Sequence, residues 1–158
     1  MTGPGTFTLM SGTYILDGDL SINGGAVVTV DKGDFPYGVT FFNTKGKLDI
    51  GQSNTNVTMS APTSGLTKGI LYFQARNNTD RGNSFGSGAS VTMSGLIYMP
   101  NQNSLLKFAA NGNSAATNLY TFFVVNEFTM VGGTVFAGLD FSSLPDGAPF
   151  TNPPSLAE

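Results

Sequence analysis

The chain has 158 residues, 40% of them hydrophobic, which suits one domain with a buried core and is short for two. Only 11% are charged, and the net charge of -3 supplies no basic footprint, so nucleic acid is not an expected partner. Cysteine and histidine are both absent, which removes disulfides, thiolate metal sites and every Ser-His-Asp or Cys-His constellation.

In chain order, Met1 to Ser11 reads as a lead-in that contains a β-like run, Thr6 to Leu9. Gly12 to Leu16 and Leu20 to Ile22 are short strands, and Asn23-Gly24-Gly25 is a turn before the strand Ala26 to Val30. Asp31 to Tyr37 is a turn, Gly38 to Asn43 a strand, and Leu48-Asp49-Ile50 repeats the apolar-polar-apolar pattern of Leu20-Ser21-Ile22. Val57 to Ser60 and Gly69 to Gln74 are strands separated by a bend containing Pro62 and Gly65. Asn77 to Gly88 is the longest polar excursion, and Ser90 to Met99 joins two strand phrases with Gly95 as the corner. After the short apolar run Leu105 to Phe108 and the turn at Asn111-Gly112-Asn113, strands are expected over Thr121 to Val131 and Val135 to Phe141. No segment holds a helical period over three turns, and residues 142–158 form a proline-rich tail or linker.

A repeated phrase organises this pattern. Val57-Thr58-Met59-Ser60 recurs unchanged as Val91-Thr92-Met93-Ser94, with looser copies at Val28-Thr29-Val30-Asp31 and Phe128-Thr129-Met130-Val131. A second phrase, a glycine followed by small or β-branched residues and an aromatic, begins at Gly38, Gly69, Gly95 and Gly133. Period-two alternation turns Val57 and Met59 one way and Thr58 the other. Stacked copies would therefore align Val28, Val57, Val91 and Phe128 inside, and Thr29, Thr58, Thr92 and Thr129 outside. Recurrence without tight hairpins between copies favours parallel partners that return after a full circuit. The expected fold is all-β: a single-domain right-handed parallel β-helix over residues 12–141, with an antiparallel β-sandwich as the alternative.

The run Val57 to Gly65, followed by Gly69-Ile70-Leu71-Tyr72-Phe73-Gln74 and then Gly95-Leu96-Ile97-Tyr98-Met99-Pro100-Asn101, resembles the repeat region of TadG-like proteins of the bacterial tight-adherence (Flp) pilus system. The family's Asn-Gly-Asn stretch has its counterpart at Asn111-Gly112-Asn113, and the resemblance spans roughly residues 12–138. It implies an extracytoplasmic or cell-surface location and a structural or adhesive role, with no catalytic residues to carry over. That family usually adds a membrane helix, a von Willebrand A-type domain and cysteines in the later repeats. This sequence has none of the three, and it is expected to be a piece of a larger chain.

Asn78-Thr79-Asp80 matches the Asn-Thr-Asp signature of polygalacturonase-like glycosidases, but the companion Asp-Asp, Gly-His-Gly and Arg-Ile-Lys motifs are missing and glycoside hydrolysis needs a carboxylate pair. Asp80 is instead expected in a loop ion pair with Arg76 and Arg81. Asp17 and Asp19, and Asp31 and Asp34, flank glycines and are read as turn residues that accept backbone amides, since neither pair follows a calcium-loop spacing. Glu127 is expected to face outward. Phe7, Tyr14, Phe35, Tyr37, Phe85 and Tyr120 fall outside the repeat's core positions and are candidates for a glycan or protein surface. The sequence thus predicts a non-enzymatic surface or pilus-associated module without cofactor, metal or catalytic site. Its expected partners are proteins, further copies joined through the ends of the stack, or a surface glycan, with no membrane span inside the segment.

Overall fold

The computed structural model describes residues 1–31, 37–51, 54–86, 88–110, 115–117, 120–132 and 135–137. Among them are fifteen β-strands and no helix. The strands are short and rich in Val, Ile, Thr and Phe, whose branched or aromatic side chains pack on a pleated surface, and Gly and Asn occupy many of the corners between them.

The strands fall into three parallel ladders. The first contains β1 (Thr6–Leu9), β4 (Val27–Val30), β7 (Asn56–Ser60), the first half of β10 (Ser90–Met99), β12 (Ala115–Thr117) and β15 (Val135–Ala137). The second contains β2 (Gly12–Asp17), β5 (Val39–Lys45), β8 (Ile70–Gln74), the second half of β10 and β13 (Tyr120–Val125). These two are joined through β10 into one curled ten-stranded sheet. The third ladder is a separate five-stranded sheet of β3 (Leu20–Ile22), β6 (Leu48–Ile50), β9 (Asn83–Phe85), β11 (Leu105–Ala110) and β14 (Glu127–Gly132). Along the chain the ladders are visited in the order first, second, third, and then first again.

Every pairing among the described residues is parallel, so the antiparallel sandwich is not the arrangement found. Val57 pairs with Val91 and Met59 with Met93, as the repeated phrase predicts, and Val28 pairs with Val57. All five side chains are buried. The second ladder adds Phe41, Tyr72 and Ile97 to the same core, and the third adds Ile22, Ile50, Phe85 and Phe108. Burying an aliphatic or aromatic side chain of this size contributes about 1.5–3 kcal/mol, so stability is spread along the stack.

Gly95 is the corner at which β10 passes from one ladder to the next. Its φ of +132° is unfavourable for residues with a side chain, and a Cβ there would lie 2.6 Å from the Ala61 Cβ and 3.1 Å from that of Leu71. The glycine thus allows both the bend and the close approach of the preceding rung.

The last repeat differs from the sequence reading. Phe128 and Met130 pair with Leu106 and Phe108 in the third ladder, and Thr129 pairs with Lys107. None of the three continues the valine-methionine or threonine columns of the first ladder. The first-ladder position of that circuit is held by β12, where Ala116 pairs with Val91, and the second-ladder position by β13. Val135–Ala137, read as a second phrase, pairs with β12 and so returns to the first ladder. The cause is that apolar-polar-apolar alternation occurs in all three ladders and does not label them. Gly133, Asn111-Gly112-Asn113 and the tail at 142–158 lie outside the described residues.

Candidate binding surface

Two outward faces of the curled sheet carry concave surface. Over the first ladder, alternation places the hydroxyl residues outside. Thr8 pairs with Thr29, and Thr58 with Thr92. Thr29 follows Val28 and Thr58 follows Val57, the last pair in register between these two strands, and both threonines line the same groove. Ser60 and Ser94 pair in a neighbouring column. Thr29, Thr58, Ser60, Thr92 and Ser94, with Asp31 and the half-exposed Tyr37, line a groove of about 610 Å³. Val30, Gly38 and Met59 complete the lining, which combines hydroxyl and apolar groups with Asp31 as its one carboxylate.

Over the second ladder the outward column is apolar. Ile15 pairs with Phe42, Phe42 with Phe73, Phe73 with Tyr98, and Tyr98 with Val124. The rings follow one another at 5.4 Å (Phe42 to Phe73) and 5.1 Å (Phe73 to Tyr98), the latter pair stacked. Ile15 is 74% exposed, and a second groove of about 320 Å³ runs between Ile15, Phe42, Ile70 and Phe73.

The aromatic candidates are distributed differently from the expectation. Phe85 is buried in the core, and Phe7 and Tyr14 pack against it, the Tyr14 hydroxyl donating to the Met10 carbonyl at 2.8 Å. Tyr37 is exposed as expected, whereas Phe35 and the Tyr120 side chain lie outside the described residues. The outward rings of Phe42, Phe73 and Tyr98 were missed. Their signal is present in the doublets Phe41-Phe42 and Tyr72-Phe73, because adjacent strand residues point to opposite faces.

The carboxylates serve the backbone at the corner between the second and third ladders. The Gly46 N–H donates to Asp80 Oδ2 at 2.7 Å, the Lys47 N–H to Asp19 Oδ1 at 3.0 Å, and Asn78 Nδ2 donates to the Gly46 carbonyl at 2.9 Å. Gly46 has φ +84°, and a Cβ there would meet the Gly18 carbonyl carbon at 2.4 Å. Asn78 and Asp80 therefore clamp the glycine corner of the preceding rung. Arg81 pairs with the exposed Glu127 at 3.3 Å in place of Asp80, which corrects the expected loop ion pair. The outward position of Glu127 agrees with its predicted place. Asp17 accepts from Thr44 Oγ1 at 3.0 Å and pairs with Lys45 at 3.2 Å, and these two contacts hold its carboxyl below the ordinary 3.8. Asp34 lies outside the described residues. Among the described residues no three Asp or Glu side chains converge as a metal site would require, and no helix is long and apolar enough to cross a membrane.

Inside the corner, Asn43 pairs with Gln74 across the second ladder, and Asn43 Nδ2 donates to the Tyr72 hydroxyl at 3.0 Å. Burial pushes the Tyr72 phenol up to about 12, the Asn43 hydrogen bond opposing and Asp19 adding to the shift. Comparison with known protein families, curated proteins and solved structures returns no match.

Proposed function

We propose that the chain is a right-handed parallel β-helix acting as a non-enzymatic structural and adhesion module on a bacterial surface, in association with a pilus. The observation that carries the reading is the stacking of like on like: Val57 on Val91, Met59 on Met93 and Thr58 on Thr92, in register. Such stacking makes each rung a template for the next, and crossovers between parallel strands are right-handed in nearly all cases. Rigidity and a long neutral face are what this arrangement supplies. The low charge and the hydroxyl-rich outside accord with an extracytoplasmic setting, as does the resemblance to TadG-like repeats. The carboxylate most suggestive of catalysis, Asp80, holds a backbone amide.

The test is genetic and cellular. Antibody raised against the module should label intact cells of the source bacterium, and removal of the segment should reduce attachment to surfaces. Absence of surface label together with unchanged attachment would sink the reading.

A fibre subunit built by stacking one copy on the next is the second reading. It is favoured by the exposure of Phe128 and Met130, whose partners Leu106 and Phe108 are buried.

A further inference from the structure

The threonine column is the feature that the structural role leaves unused. Strand pairing fixes its period at about 4.8 Å along the stack, and its members come from successive circuits of the chain. Among the described residues, the hydroxyls of Thr29, Thr58 and Thr92 make no hydrogen bond, in contrast to Thr40 and Thr121, whose hydroxyls donate to backbone carbonyls at 2.7 Å and 2.9 Å. The groove they line, about 610 Å³, falls in the size range of small-ligand sites.

We infer that this groove binds a neutral, extended polysaccharide chain lying along the stack, across the strands, with about one sugar unit facing each rung. The inference rests on the adhesion reading above and names its ligand. Four considerations select the ligand class. A ligand matched to a repeating column is itself a repeating polymer, and the rung period is close to the length of one pyranose in an extended β-linked chain. Threonine presents a hydroxyl beside a methyl, which matches the alternation of hydroxyls and C–H faces on a sugar ring. Tyr37, 42% exposed, adds an aromatic ring to the lining. The carboxylate of Asp31 and the chain's net charge of -3 disfavour polyanions.

Only the threonine column repeats over three rungs; on one side of it Ser60 pairs with Ser94 over two rungs alone. The adjacent outward column runs Thr6, Val27, Asn56, Ser90, so a two-dimensional crystalline surface finds no matching lattice, whereas a single chain does.

The experiment is isothermal titration of the whole protein with cellulose-type and chitin-type oligosaccharides of increasing length, and with polygalacturonate. Affinity is expected for a neutral series, rising as the oligomer lengthens to span several rungs. Thr58→Val with Thr92→Val keeps shape and strand preference while removing two hydroxyls. It should weaken binding about tenfold, since two lost hydrogen bonds amount to about one decade in Kd. Thr13→Val, on the second ladder, should leave it unchanged. No binding of either neutral series by protein with an unaltered circular dichroism spectrum would overturn the inference, as would undiminished binding by the double variant or a preference for polygalacturonate. Such failures leave surface labelling and attachment untouched, so they can be told apart from failure of the adhesion reading.

Discussion

Tyr72 has the largest titration shift resolved among the described residues and lies at the centre of the corner that holds the ladders together. Its ring is 1% exposed, and its hydroxyl accepts from Asn43. Burial disfavours the phenolate, so the folded chain keeps the proton to about 12, whereas the unfolded chain loses it near 10.0. Between these values the unfolded state binds fewer protons, and stability falls as pH rises. Stability is complete below about pH 10 and drops by up to about 2–3 kcal/mol by about pH 12. Urea midpoints measured across that interval should show the fall in the native chain. In Tyr72→Phe the fall should be reduced by this contribution, starting from a lower neutral-pH value because Asn43 Nδ2 has lost its acceptor. Equal alkaline slopes in the two proteins would rule out Tyr72 as the source. Asn43 Oδ1 and Gln74 Oε1 are buried without a partner among the described residues, a cost of about 1–3 kcal/mol apiece that the surrounding packing must offset.

At the scale of the strand, β7 and β10 separate two jobs that the sequence interleaves. Met59 and Met93 face inward, 4% and 2% exposed, while Thr58 and Thr92 face the groove. Met93→Ala should therefore cost about 2–5 kcal/mol, whereas Thr58→Val should change stability by less than about 0.5 kcal/mol. Thermal denaturation of both variants checks the contrast, and comparable losses would mean that the inward and outward assignments are wrong. The same alternation explains what was legible. The parallel pairing of β7 with β10 was readable because two circuits retain identical letters, Val-Thr-Met-Ser. The place of Phe128-Thr129-Met130 was not, because alternation reports which side of a strand is buried and says nothing about which ladder the strand joins. The true first-ladder strand of that circuit, Ala115–Thr117, keeps only the threonine of the phrase, Thr117 following Ala116 as Thr92 follows its partner Val91, and it has lost the valine and methionine. The groove was half legible: the outward threonines of three rungs follow from periodicity. The place of Tyr37 beside them depends on pairings between residues that are distant in sequence.

At the scale of the molecule, the described strands leave edges at both ends of the stack, and the two ends are unlike. At the first rung β1, β2 and β3 each have one strand partner among the described residues. Residues 1 and 2 lie against the third ladder there: the Met1 nitrogen donates to the Ser21 carbonyl at 2.7 Å, and Thr2 bridges to Asn23. The edges of β1 and β2 are left with the partly buried Phe7, Leu9, Tyr14 and Leu16 behind them. At the far end Phe128, Met130 and Val131 are 40–48% exposed on β14, which pairs only with β11 among the described strands. Unpaired edges backed by apolar side chains are templates for further strands. Joining unlike ends gives a heterologous contact that grows without closing. If this end is the growing contact of a fibre, sedimentation velocity should show the average mass rising with concentration, and Met130→Lys should hold the protein monomeric by placing a charge where the next rung would dock. A wild-type protein that remains monomeric throughout a wide concentration range would remove the fibre reading. Growth unaffected by Met130→Lys would move the contact elsewhere, with the outward apolar column of Ile15, Phe42 and Phe73 as the next surface to substitute.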